Sequence, residues 1–206
     1  MAISGKEIAF IILLASSGVW GKEFFYTSHL EISKASGRRS EEIDSMRLLF
    51  DQFWDILTKN KINTVEEENG MKLLKSLWSY IDDESRYDFE FLDQNIDYFF
   101  NNIYRSELAL DFYNYDPTHI LKQVKCPVLA LNGDKDIQVV SYINLPAIER
   151  ALKSGICENY QVLELKDHNH LFQECETGKI SEYIKINTTI SDTTLYIIGG
   201  WINSLK

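Results

Sequence analysis

The chain has 206 residues, 45% of them hydrophobic, and a formal net charge of −10. That length and apolar content suffice for one substantial core with room for an inserted subdomain, and they exclude a disordered, collagenous or disulfide-scaffold chain. The acidic side chains are scattered, which argues against nucleic acid or an anionic membrane as a partner; Cys126, Cys157 and Cys175 are odd in number, form no CxxC pair and read as small hydrophobes.

Residues 8–15 (IAFIILLA) form a continuous apolar run bounded by Gly5 and Gly18. Eight residues fall far short of the roughly 20 that cross a bilayer. The run has the form of a strand buried on both faces of a parallel sheet. Followed by Ser16 and Ser17, it also has the form of a secretory signal core, which leaves localisation open.

From about Gly21 to Tyr115 the chain becomes charged, helical in its periodicity and free of proline. Ser40 predicts an N-cap, and Ile43, Met46, Phe50, Phe53, Trp54 and Leu57 recur at helical spacing behind it. Thr64 with Glu67 forms a predicted capping box for a second helix through Met71, Leu74, Leu77, Trp78 and Ile81. A third helix is expected from Phe89 to Leu110. The aromatic excess here, including Phe91, Tyr98, Phe99, Phe100, Tyr104, Phe112, Tyr113 and Tyr115, suits either helix–helix packing or an apolar lid over a substrate.

Strands and helices then alternate. Asp116 and Pro117 open a short helix, Val128 to Asn132 is a strand, and Gly133-Asp134-Lys135-Asp136 is a loop. Pro146 to Leu152 is helical and stops at Gly155, and Tyr160 to Leu165 is a strand followed by the loop Asp167-His168-Asn169-His170. Ser191 caps a last helix with the apolar stripe Leu195, Ile198, Trp201, Ile202 and Leu205. This order predicts an α/β fold, a parallel sheet with helices on both faces. In such sheets functional residues belong on the loops after the strands.

Two of those loops carry the chemistry. Asp134 and Asp136 follow one strand; His168 and His170 follow the next. An acid and a histidine at neighbouring strand ends can orient and charge an imidazole that takes a proton from a nucleophile. Either loop alone also reads as turn aspartates and loop histidines. The histidines lack third and fourth ligands at a supporting spacing, so neither a metal nor another cofactor is expected.

The stretch Tyr115 to Gln173, with YDPTHILKQVKCPVLALNGDKDIQV, LPAIERALKSG and LELKDHNHLFQ, resembles the C-terminal region of bacterial α/β-hydrolases of the serine-aminopeptidase-like and esterase-like group. The resemblance extends to IAFIILLASSG and to the final helix, and implies that residues 22–115 are an inserted helical cap and 116–206 the C-terminal core. It implies that Asp136, at the end of the family's G-x-x-D pattern, is the triad acid, and His170, in N-H-L-F, the triad base. The substrates it implies are small esters or peptide-like amides.

The family's G-x-S-x-G nucleophile elbow and oxyanion hole have no counterpart here. Ser16, in Leu14-Ala15-Ser16-Ser17-Gly18, keeps the serine and second glycine of an elbow, but the resemblance aligns it with the following strand. The chain is therefore expected to be inactive alone. An open apolar edge on strand 8–15 is expected to drive self-association or docking of an N-terminal half. The alternative is a noncatalytic remnant or binding protein that presents an apolar cap groove.

Overall fold

Val128–Gly133 is buried along its whole length, because it is the middle strand of a three-stranded parallel sheet. The computed structural model describes residues 8–80 and 96–205. In chain order the strands are β1 (Ile11–Leu14), β2 (Val128–Gly133) and β3 (Tyr160–Leu165), and they lie side by side in that order. Ile11 pairs with Val128 and Leu14 with Leu131 across one ladder; Val128 pairs with Tyr160 and Gly133 with Leu165 across the other. The protein is thus mixed α/β, and its contacts divide it into two units: the residues up to Trp20 with those from Asp116 onward, and Gly21–Tyr115.

In the sheet unit, alternation along β2 sends Val128 and Ala130 to one face and Leu129 and Leu131 to the other. Each fully buried aliphatic side chain of this kind contributes about 1.5–3 kcal/mol. Two helices numbered after those of the helical unit, α6 (Pro117–Leu121) and α7 (Ser141–Lys153), supply Leu121, Leu145, Ile148 and Leu152 to the first face. The C-terminal helix α9 (Asp192–Ser204) supplies Ile198, Trp201 and Ile202 to the second, with Phe10 edge-to-face against Trp201 at 5.6 Å between ring centroids. A single turn, α8 (Ile180–Tyr183), lies between β3 and α9.

Several boundaries depart from the expected ones. The apolar run 8–15 is strand only over Ile11–Leu14, and its residues are half-buried or exposed rather than buried on both faces, since β1 pairs with β2 alone among the described residues. Helix α7 begins at Ser141, five residues before Pro146, because its stripe Leu145, Ile148, Ala151 and Leu152 outweighs the ladder bond that proline cannot make. Leu195 is 52% exposed, and the stripe of α9 that meets the core is Ile197, Ile198, Trp201, Ile202 and Leu205.

The helical unit contains α1 (Gly21–Ala35), α2 (Ser40–Leu57), α3 (Thr64–Trp78), α4 (Ile96–Tyr98), which runs on into a π-helical turn at Phe99–Tyr104, and α5 (Glu107–Asn114). The long helix expected from Phe89 to Leu110 is interrupted: the π turn ends at Tyr104, and Ser106 starts a new helix by accepting the Ala109 N–H. Its start at Phe89, with Phe91 and Ile81, lies outside the described residues. Arg39 rather than Ser40 occupies the N-cap of α2. The capping box of α3 is Asn63 with Glu66, one residue before the expected pair.

Packing here is dominated by rings. Phe25 meets Phe24, Phe112 and Tyr113 edge-on, and Trp54 lies 5.0 Å from Tyr113 and 6.0 Å from Phe50. The Arg105 guanidinium donates to the Ile56, Leu57 and Lys59 carbonyls and so satisfies the C-terminal end of α2. Among the described residues, no helix is long and apolar enough to cross a membrane.

Candidate functional site

The acid and histidine loops leave the sheet at the same level, because Gly133 at the end of β2 is in register with Leu165 at the end of β3. Backbone bonds then couple them: the Asp134 N–H donates to the Leu165 carbonyl and the Lys135 N–H to the His168 carbonyl. Gly133 is required there, since a Cβ would lie 2.0 Å from the His168 carbonyl oxygen.

Asp136 is buried, its side chain fully so. Its Oδ1 accepts the backbone N–H groups of Gln138 at 2.9 Å and Val139 at 2.8 Å, and its Oδ2 lies 2.9 Å from His170 Nδ1. Every contact of this carboxylate suits a negative charge. A carboxylate only accepts, so His170 carries its proton on Nδ1 and Nε2 is the nitrogen able to receive another.

His170 is held at the tip of a tight loop. Asn169 is fully buried; its Oδ1 accepts the Leu171 and Gln173 N–H groups, and its Nδ2 donates to Gln173 Oε1. The His170 ring is 29% exposed. It lines a cavity of about 520 Å³ with Leu14, Ala15, Phe172, Ile186 and Ile190.

The other candidates fall elsewhere. Asp134 is exposed. His168 is buried, with Nδ1 2.6 Å from the Lys166 carbonyl and Nε2 2.7 Å from Ser191 Oγ. The carbonyl fixes the proton on Nδ1, so Nε2 accepts from the Ser191 hydroxyl and both ring nitrogens are occupied. Ser191 also accepts the Thr194 N–H as N-cap of α9, so His168 ties its loop to that helix. Ser16 follows Ala15, whose φ is 46°, and it is Ala15 that lines the cavity beside His170. Among the described residues, no hydrogen bond joins Ser16 to His170. Cys126 and Cys157 are buried; Cys175 is partly so, and burial pushes its thiol up to about 11.

Two side chains not singled out in the sequence complete the surroundings. Tyr183, on α8, accepts from Gln138 Nε2 at 3.0 Å. The neighbouring Glu182 carboxylate accepts the N–H groups of Glu176, Thr177 and Gly178 and the Thr177 hydroxyl. Partial burial pushes that carboxyl up, but the Thr177 hydroxyl and the three N–H groups outweigh it and bring it down to about 2. The stabilisation is therefore full above the ordinary value of 4.5 and is lost as pH falls from there toward 2. Glu182→Gln is expected to lower stability at pH 7 by about 1 kcal/mol, the solvent-screened share of such bonds. In urea titrations that difference from wild type should shrink below pH 4.5.

No family model, curated protein or solved structure matches the chain. The site therefore stands on its own geometry: a buried carboxylate that orients a half-exposed imidazole beside an apolar cavity.

Proposed function

We propose that this chain is the acid–base portion of a serine hydrolase of the α/β-hydrolase type, acting on esters or peptide-like amides. Asp136 orients His170 and stabilises its charged form, and His170 removes the nucleophile's proton. The observation that carries the reading is the 2.9 Å contact between the buried Asp136 carboxylate and His170 Nδ1. The parallel sheet with both groups on loops after neighbouring strands supports it. The nucleophile and oxyanion donors come from another segment that pairs with the edge of β1 that no described residue occupies, next to Leu14, Ala15 and the cavity.

The chain alone is expected to hydrolyse no p-nitrophenyl ester above background, since loss of a triad serine by itself costs on the order of a million-fold. Coexpression with the polypeptide encoded directly upstream of Met1 is expected to give a complex that turns the ester over, and His170→Ala or Asp136→Asn to abolish that turnover. A stable complex without His170-dependent turnover would count against the proposal. Turnover by the purified chain that Ser16→Ala abolishes would show that the nucleophile lies within it.

A second reading, a noncatalytic binding protein, is favoured by apolar side chains exposed on the helical unit, among them Leu108 at 81% and Tyr98 at 54%.

A further inference from the structure

Asp136 and His170 sit on different loops, and a 2.9 Å contact between two loop side chains requires both backbones to be held. Part of that restraint comes from residues 175–183, which wrap the acid loop. Gly178 has a φ of 73° and packs so close to Lys135 that a Cβ would lie 2.0 Å from its carbonyl oxygen. Lys135 Nζ donates to the Cys175 carbonyl at 3.1 Å and pairs with Asp167 at 2.7 Å, so one side chain grips both this segment and the histidine loop. Glu182, bonded to three successive N–H groups at 176–178, folds the segment back on itself and fixes the turn that carries Tyr183.

Tyr183 then braces the acid half of the pair. Its phenolic oxygen accepts from Gln138 Nε2 at 3.0 Å, and the backbone N–H of that same Gln138 donates to Asp136 Oδ1 at 2.9 Å. The contacts form a chain: Tyr183 to Gln138, Gln138 to Asp136, and Asp136 to His170.

We propose that Tyr183, acting with Gln138, is a positioning residue that holds Asp136 in hydrogen-bonding register with His170; the inference rests on the catalytic reading of that pair. Burial first, and then the nearby Asp136 carboxylate, push the Tyr183 phenol up to about 12. It therefore stays neutral through the range in which an imidazole titrates, and acts through hydrogen bonds rather than charge. The arrangement gives α8 a purpose that apolar packing does not, since none of its four residues is buried.

The tautomer of His170 reports the pairing directly. A neutral imidazole in water favours its Nε2–H form, whereas Asp136 selects Nδ1–H. Long-range nitrogen–proton NMR on the full chain labelled with ¹⁵N-histidine reads the ratio, with His170→Ala assigning the signal among the four histidines. The wild-type signal is expected in the Nδ1–H form, and Asp136→Asn is expected to abolish that preference. Tyr183→Phe keeps the ring and is expected to shift the ratio toward Nε2–H by roughly fivefold to tenfold, the equivalent of one lost hydrogen bond. Gln138→Ala should do the same, and the double variant no more than either single one, because the two side chains share one bond.

An unchanged ratio in Tyr183→Phe would overturn the proposal, as would additive shifts in the double variant. If Tyr183→Phe fails to fold, the ratio in Gln138→Ala decides by the same criterion. The hydrolase reading fails separately: the tautomer preference would respond to Tyr183→Phe as expected while the coexpressed complex showed no His170-dependent turnover.

Discussion

Gly133→Ala is expected to destabilise the sheet unit by about 3 kcal/mol or more, at or beyond the upper end of the cost of forcing one methyl group into a packed site. The new Cβ would meet the His168 carbonyl carbon at 2.5 Å and its oxygen at 2.0 Å, and these are backbone atoms of the loop that holds His170. The strain cannot be relieved by a side-chain rotation; it has to push the histidine loop away from the acid loop. The same variant should therefore abolish the Nδ1–H preference of His170 while the protein remains folded in the absence of denaturant. Gly199→Ala and Gly200→Ala supply the contrast. Both sites are in α9 and nothing lies within 4 Å of a built Cβ, so each is expected to stabilise by about 0.5–1 kcal/mol through helix propensity. Urea midpoints for the three variants should move in opposite directions; a neutral Gly133→Ala would mean that the loops are not in contact as described.

Acidification is expected to weaken the helical unit well before most carboxylates titrate. His29, on α1, has a buried Nδ1 with no hydrogen-bond partner among the described residues, and its ring centroid lies 6.0 Å from that of Phe50. Burial lowers it from the ordinary 6.5 to about 4. The unfolded chain therefore takes up this proton first as pH falls. The contribution of neutral His29 is full above pH 6.5, declines between 6.5 and about 4, and levels off below. The shift corresponds to about 3 kcal/mol across that window. Urea unfolding followed by tryptophan fluorescence at several pH values should show the decline in wild type, and His29→Leu should remove most of it. Parallel pH dependences in the two proteins would mean that His29 is solvated.

The sheet unit was legible because its signals are short-range and unambiguous. Tyr160 to Leu165 reads as a strand and has those bounds, and Asp116 with Pro117 opens a helix as expected. The pairing of Asp136 with His170 follows from loops that leave neighbouring parallel strands. What stayed hidden depends on distant partners. The start of α3 offers two frames, Asn63 with Glu66 and Thr64 with Glu67, and local chemistry alone does not separate them. Helix α8 is one turn without a buried residue; it exists because Glu182 binds the loop before it, a contact with no hydrophobic period. The π turn at Phe99–Tyr104 breaks a continuous aromatic pattern that reads as one helix. Leu195 carries a helical spacing that the sheet does not use, because α9 meets the core from Ile197 onward.

The ladder between Ile11 and Val128 also sets a timetable. With synthesis at about 5–20 residues per second, β1 leaves the ribosome on the order of ten seconds before the strand it pairs with. Gly21–Tyr115 is made in the interval and can bury its rings first. Until β2 emerges, β1 lacks the strand it pairs with, and its apolar side chains wait without that cover. Slowing translation between the two strands lengthens that exposure in direct proportion.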